Sequence, residues 1–356
     1  MPVPEVAPKA NAPAASAAPG RGHGSQPRME DVGSVAGVSH QTVSRVLNDF
    51  PKVRPATRAR VLAAIEELGY RRNTAARTLV TRRSGTIGVI TADMNHFGPA
   101  SIMLGLESAS RAAGYNLSLA GLPEISATSL GTAVDRVLDQ AVEAVVIIAA
   151  HEAALALAQS LHIGIPLVLV EGDPSATPLT AGVDQIAGAR MATNHLLDLG
   201  HESVVHLPGP GEWLEATARR EGWRMALEER GCPVPALMVE GDWSARSGYQ
   251  AGRAMLAESR PTAIFAANDQ MALGVLRALH EAGLRVPEDV GVVGFDDMPE
   301  SGYYTPPLTT VRQDFRELGQ RIMALVLRVL AGEVNASEPL VEPLLIVRSS
   351  TASLPS

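Results

Sequence analysis

The chain has 356 residues, 46% of them hydrophobic, and its 30 Lys and Arg against 38 Asp and Glu give a formal charge of −8. That length supports more than one cored unit. The single cysteine, Cys232, excludes an internal disulfide, and no segment is apolar for long enough to span a bilayer. Residues 1–27 are rich in Pro, Ala and Gly without periodicity and read as a disordered arm. They lack the apolar core of a signal peptide, so the chain is expected in the cytoplasm. From Asp31 to Ala36 runs a short helix-compatible stretch, and Gly37 supplies a flexible turn residue. The run V-S-H-Q-T-V-S-R-V-L-N, Val38 to Asn48, then reads as a second helix with Ser39 at its N-cap. Val43, Val46 and Leu47 recur at helical spacing and pack, which leaves His40, Gln41, Ser44 and Arg45 facing elsewhere. Gln and Arg can pair with adenine and guanine edges, and the short hydroxyls of Ser39, Thr42 and Ser44 suit phosphates.

A polar helix face alone is more often plain surface. The surrounding charge favours the sharper reading: residues 28–83 carry eleven Lys and Arg against five Asp and Glu, a net +6 inside an acidic chain. A basic module on an acidic body suits a protein that meets phosphate backbone at one end. Thr57 to Leu68 supplies a third helix, with Val61, Leu62, Ile65 and Leu68 as packing stripe and Gly69 as stop. The segment from Asp31 through Gly88 resembles the headpiece of the lactose-repressor family of bacterial regulators. That resemblance implies a helix-turn-helix over 28–72, with His40, Gln41 and Arg45 as base readers and Ser39, Thr42, Ser44 and Asn48 nearer the DNA backbone. It further implies a hinge helix and linker over 73–84: Asn73 as cap, Ala75 and Ala76 as a close-approach face, and Leu79 as a wedge in the minor groove. A helix that short does not persist alone in water, so it needs DNA and a partner copy. Two positions depart from the family. Gly33 replaces a helix-forming alanine, at roughly 1 kcal/mol in propensity, and Arg72 stands where proline is usual.

From Thr86 onward short β-rich runs (T-I-G-V-I-T, A-V-V-I-I-A, P-L-V-L-V, S-V-V-H-L, T-A-I-F-A-A, V-G-V-V-G-F) alternate with helical segments such as Ile102 to Ala113, Ile186 to Leu199, Met271 to Ala282 and Leu318 to Leu330. Such alternation predicts an α/β core of parallel sheets flanked by helices. About eleven strands exceed what one open sheet of this kind usually holds, so two lobes are expected. The expected core is 85–350, for effector binding and dimerisation. Its N-lobe spans about 85–183 plus 315–343 and its C-lobe about 184–314 plus 344–350, with a tail over 351–356. In such sheets ligands bind beyond the carboxyl ends of strands.

Residues after the predicted strands are polar with a few aromatics: Asp93 and His96, Glu171 and Asp173, Asn268 and Asp269, then Asp296 and Asp297; Trp243 lies in E-G-D-W-S-A-R-S-G-Y-Q just ahead of a helix capped by Ser244, and Gln313 and Phe315 close the set. Carboxylates and amides for vicinal hydroxyls, with an indole for the apolar face of a ring, make the inventory of a neutral sugar site. The runs around Gly241 to Gln250, Pro261 to Gly274 and Val292 to Gln320 extend the family resemblance through the core, giving a two-lobed, periplasmic-binding-protein-like unit. By that resemblance Trp243 stacks on a sugar of galactoside or related type, Asn268, Asp296 and Gln313 bond its hydroxyls, and Phe315 lines the cleft. Ala92 and Glu171 are further candidates, Glu171 in place of an aspartate. Thr217 stands where an arginine is expected to grip the sugar, with Arg219 as compensation one turn away or Trp213 as extra stacking surface, and His96 replaces an apolar residue.

Bland readings stand beside these. Asp296 and Asp297 could cap a turn, Asp269 and Gln270 could cap the following helix and leave Asn268 to the ligand, Asp184 could cap or serve the crossover, and Trp223 belongs in the core. An enzyme is not expected, because no G-x-S-x-G elbow, G-x-x-x-x-G-K-[ST] loop or metal-type His and Cys cluster occurs. Adjacent Asp296 and Asp297 rarely face one glycosidic bond from opposite sides. A transport-linked sugar-binding protein shares the two-lobed core, but the basic headpiece argues against it. The expected protein is a sugar-responsive, nucleoid-associated repressor with no cofactor or metal. It acts as a homodimer on near-palindromic operator DNA, without a membrane partner, since no terminal heptad repeat is present to join dimers.

Overall fold

Valines spaced for helical faces close the N-terminal unit, in which α1 (Met29–Ala36), α2 (His40–Leu47) and α3 (Pro55–Leu68) pack Val32, Ala36, Val43, Val46, Val61, Ala64 and Tyr70 into one small core. The computed structural model describes residues 27–71, 83–148, 150–170, 179–236, 239–333 and 338–353. It divides into Met1–Thr81 and Arg82–Ser356, each taken here by itself. Two details of α1–α3 correct the periodicity. Leu62 is 52% exposed, and Ala64 takes the buried place on α3. The small residue is what allows close approach of the neighbouring helix. Gly33 is a requirement rather than a defect, because a Cβ there would lie 2.8 Å from the Val38 carbonyl oxygen where the chain turns into α2.

The second unit alternates strand and helix. In chain order it contains β1 (Thr86–Thr91), α4 (Phe97–Ala112), β2 (Asn116–Gly121), α5 (Ala127–Leu138), β3 (Ala144–Ile148), α6 (Glu152–Gln159), β4 (Leu167–Val170) and β5 (Thr180–Ala181). There follow α7 (Gln185–Asp198), β6 (Val205–Leu207), α8 (Leu214–Glu229), α9 (Ala245–Glu258), β7 (Ala263–Ala266), α10 (Asp269–Glu281), β8 (Gly291–Asp296), β9 (Thr309–Arg312), α11 (Phe315–Leu330) and β10 (Leu344–Ile346). The strands form two five-stranded sheets, ordered β2-β1-β3-β4-β5 and β10-β9-β8-β7-β6. The first is parallel, and its inner strands, buried on both faces, read as continuous apolar runs.

The chain passes between the sheets three times. After β5 it enters the second sheet, and after β9 it returns, since Leu318, Ile322 and Val326 of α11 pack with Ile102 and Leu106 of α4 against β1. It then crosses back beside Val183, which pairs with Val341. Because the chain leaves β9 and re-enters for β10 at the same end of the sheet, β10 runs antiparallel, with Leu344 opposite Arg312. The second sheet is therefore mixed rather than wholly parallel as the alternation alone predicts, and ten strands appear among the described residues rather than about eleven. No described helix is long and apolar enough to cross a membrane.

Candidate functional site

In the first unit, α2 starts where Ser39 caps it: the Ser39 hydroxyl lies 3.4 Å from the Thr42 amide and 3.1 Å from the Thr42 hydroxyl. Gly37 takes the left-handed conformation (φ 63°) that the tight turn before α2 requires. Burial of Val43 and Val46 leaves Ser39, His40, Gln41, Arg45 and Asn48 exposed, with Thr42 and Ser44 half-buried. The loop after α2 is tied to α3 by Arg58, which donates to Asp49 Oδ1 (2.8 Å) and the Phe50 carbonyl (3.1 Å). Asn73, Ala75, Ala76 and Leu79 lie outside the described residues, as do Glu171 and Asp173.

In the second unit, loops at the carboxyl ends of strands from both sheets meet across a cleft. His96, Phe97, Gly98 and Pro99 line one wall, and Trp213, Glu215, Arg219, Trp243, Asn268 and Asp296 the other, around an empty volume of about 340 Å³. Backbone hydrogen bonds join the two sides at one rim, from Leu214 N–H to the Ala150 carbonyl (2.8 Å) and from Glu152 N–H to the Glu212 carbonyl (3.2 Å). Trp213 sits at this rim with its ring 4.4 Å from His151, 5.2 Å from His96 and 5.6 Å from Trp243, and His151 Nε2 lies 3.0 Å from Asp93 Oδ2. Asp93 (φ 53°), Trp243 (φ 69°) and Asp296 (φ 107°) all hold left-handed backbone beside the cleft. Such strain persists only where surrounding structure enforces it, and it concentrates at functional sites.

Arg219 and Asp296 of the cleft wall belong to a closed ring of side chains whose other members, Gln185 and Gln313, lie behind the lining. Arg219 donates from Nε to Gln185 Oε1 (2.9 Å), Gln185 donates to Gln313 Oε1 (2.8 Å), and Gln313 donates to Asp296 Oδ1 (2.7 Å). Asp296 Oδ1 closes the ring 3.5 Å from Arg219 Nη2. Arg219 also donates to the Ala267 carbonyl (2.6 Å) and lies 3.9 Å over Phe295 and 5.6 Å over the Trp243 ring. Burial pushes the Asp296 carboxyl up to about 6 against the pull of Arg219 and Gln313. Burial and the neighbouring Asp296 charge push Asp269 up to about 7. Burial also raises Glu215, whose Oε2 has no hydrogen-bond partner. Trp243 Nε1 is the second buried, unpartnered atom on a cleft-lining residue. The indole lies so close to the backbone that a Cβ at Gly209 would sit 2.4 Å from it. His96 and Trp243 also border a wider groove of about 890 Å³ of empty space with Gln270, Met298, Glu300 and Tyr304. No described group of His, Cys, Asp and Glu could hold a metal ion.

Several expected residues sit elsewhere. Thr217 is exposed and spends its hydroxyl on the Gly211 carbonyl (3.2 Å), while the guanidinium in the cleft belongs to Arg219, on the buried face of α8. Ala92 lines a smaller neighbouring cavity with Leu122, Ile147 and His151. Phe315 packs behind Phe97, ring centres 5.9 Å apart. The capping roles at α10 are exchanged: Asn268 caps it, accepting from Met271 N–H (2.8 Å) and donating to the Trp243 carbonyl (3.1 Å). Asp269 is instead a buried acceptor for the Ser301 and Thr310 hydroxyls. Asp297 turns away to pair with Arg312 and Arg348, Asp184 caps α7, and Trp223 is core, its Nε1 on the Val204 carbonyl. Sequence reasoning missed Gln185 and Glu215. The available signals were the place of Gln185 at a crossover and the i, i+4 spacing of Glu215 and Arg219 on one face of α8.

Residues 28–73 match the family described as bacterial regulatory proteins, lacI family, and residues 193–351 match a periplasmic binding protein-like domain. The chain is 36% identical to the lactose operon repressor of Escherichia coli (strain K12), over 91% of this chain and 90% of that one. It is 37% identical to the HTH-type transcriptional regulator CelR of Thermobifida fusca, over 91% and 98%. Among solved structures, the lac repressor dimer bound to operator and the anti-inducer ONPF superposes with a TM-score of 0.82 at 36% identity, covering 92% of this chain and all of that one. The CelR–cellobiose complex superposes with a TM-score of 0.67 at 32% identity, covering 91% and 99%.

Proposed function

The chain belongs to the lacI family of bacterial regulatory proteins, and from that membership we propose that it is a transcriptional repressor whose hold on operator DNA is set by a carbohydrate in the cleft. The observation that carries the effector half is the cleft lining of Arg219, Asp296 and Asn268 beside the Trp243 indole, the first two held by Gln185 and Gln313 behind them. Fixed donors and acceptors beside an aromatic surface are the chemistry of a neutral sugar site, and the wider groove beyond His96 and Trp243 leaves room for a second ring. The DNA half rests on α2, where His40, Gln41 and Arg45 are proposed to read bases and Ser39, Thr42, Ser44 and Asn48 to meet the backbone. His40 can donate or accept and so selects no single base.

Two chains acting on a near-palindrome is the proposed arrangement, with 28–72 as DNA-binding domain, 73–84 as hinge and 85–350 as core. Gln185 and Gln313 stand at crossovers between the sheets, so a ligand that rearranges the ring acts on the connections that set how the two halves lie. Such a ligand shifts DNA affinity only through a difference in its affinity for the two arrangements. Cytoplasmic placement on the nucleoid follows from that role, and no catalytic activity is proposed.

The test is operator binding by the full chain, on a duplex selected from a random library, titrated with lactose and with cellobiose. One sugar is expected to change operator affinity, and Trp243→Ala to abolish the response while DNA binding remains. A normal sugar response in Trp243→Ala, or none in the wild type with either sugar, refutes the effector assignment.

A further inference from the structure

Glu215 lies on the cleft wall one helical turn before Arg219, buried, with Oε2 unpartnered. Leaving a buried acceptor unmade costs free energy, more when it is charged. A methionine of similar volume would avoid that cost, so folding does not explain the carboxylate. The cation that could compensate it is engaged elsewhere: Arg219 serves Gln185, the Ala267 carbonyl and Asp296. The other unpartnered atom on the cleft walls, Trp243 Nε1, is a donor. One free acceptor and one free donor are the complement of a ligand hydroxyl pair. With Asp296 and Glu215 against one guanidinium, the wall also has no spare positive charge for an anion, and His96 on the facing wall already packs edge-on to Trp213.

Resting on the carbohydrate reading of the cleft, we propose that Glu215 is a specificity-determining contact: in its ionised form its free Oε2 accepts a hydrogen bond from an O–H or N–H of the effector, and its charge bars phosphorylated or carboxylated sugars. The effector class is thereby a neutral or amine-bearing sugar.

Calorimetric titration of the full-length protein at pH 8, above the value of about 7 to which burial raises the Glu215 carboxyl, with lactose, cellobiose, cellobiose 6′-phosphate and the glucosamine dimer tests this, alongside Glu215→Met and Glu215→Gln. The wild type is expected to bind a neutral sugar or the glucosamine dimer at least tenfold more tightly than the phosphate. Glu215→Met is expected to lose at least tenfold in affinity for that ligand while unfolding at the same or higher temperature, a combination that a merely structural role would not give. Glu215→Gln, without the charge, is expected to narrow the discrimination against the phosphate. Unchanged affinity in Glu215→Met, or tighter wild-type binding of the phosphate, overturns the proposal and leaves the carbohydrate reading standing. Failure of the wild type to bind any of the four overturns both.

Discussion

Arg219→Met tests whether the ring beneath the cleft is held together by charge. The substitution removes the guanidinium that lies 3.9 Å over Phe295, the hydrogen bonds to Gln185 and the Ala267 carbonyl, and the cation 3.5 Å from Asp296. Removing one partner of a buried pair costs about 3–5 kcal/mol, because the remaining charge is left uncompensated. The pH dependence separates that charge from the lost hydrogen bonds. Burial holds the folded Asp296 carboxyl at about 6, above its ordinary 3.8, so the folded state binds the extra proton. Its contribution is then favourable at low pH and is lost as pH rises through the folded value. Without Arg219 the folded value rises further, and the loss extends to higher pH. At pH 5 the carboxyl is mostly neutral in both proteins, and what differs is the hydrogen bonds, about 1–3 kcal/mol, and the guanidinium contact with Phe295, neither of which varies with pH in this range. At pH 8 the full cost appears. Urea unfolding followed by far-ultraviolet circular dichroism at pH 5 and 8 should therefore give a destabilisation that grows with pH. A loss equal at the two values, or larger at pH 5, refutes the reasoning.

His206→Gln should flatten the acid limb of the stability curve. The ring is buried against Phe265 and Trp223, bonds the Phe265 carbonyl through Nδ1, and has its pKa lowered by burial from 6.5 to about 3. The unfolded chain therefore binds the proton first, and wild-type stability falls by up to about 1.4 kcal/mol per pH unit between 6.5 and 3; an equally steep limb in the variant would exclude His206 as its source. Gly209→Ala should displace the Trp243 indole and weaken whichever sugar binds by at least about tenfold, or 1.4 kcal/mol; unchanged calorimetric affinity would count against the ring position. Arg45→Ala should cost about 1–3 kcal/mol on a selected operator in fluorescence anisotropy at fixed salt and much less on random duplex; a uniform loss on both would reassign Arg45 to the phosphate backbone.

The fold was legible where periodicity has one physical cause. Val43 and Val46 share a helix face with no competing role, and the runs A-V-V-I-I and V-G-V-V-G-F are apolar because both faces of their strands are covered. It was less legible where packing chose a small residue over a large one. Leu62 fits the stripe of α3 by hydropathy, yet Ala64 is the residue that lets the helices approach. The reversal of β10 has no local signature, since it follows from where the chain crosses between sheets.

The cleft divides along the same line. Asn268 and Asp296 follow or end strands whose direction the sequence announces, so their meeting could be read from topology, whereas Trp243 stands just ahead of α9, which Ser244 caps. Gln185 and Glu215 gain their place only from tertiary contact. A crossover position and an i, i+4 spacing are weak signals that solvated helix residues share, and burial and partners are what single out Gln185 and Glu215. Gln185, with Gln313, is why the ring is expected to be sensitive to a ligand. Gln185 and Gln313 belong to two chain crossings, whereas Arg219 and Asp296 belong to the wall of the cleft, and each link between them is a single hydrogen bond. A hydroxyl that takes Asp296 or Arg219 as partner must loosen one of those links or strengthen it. On the proposed function, either change would be delivered directly to a crossing, and a ligand that touches only the wall is expected to act on the relative position of the two sheets.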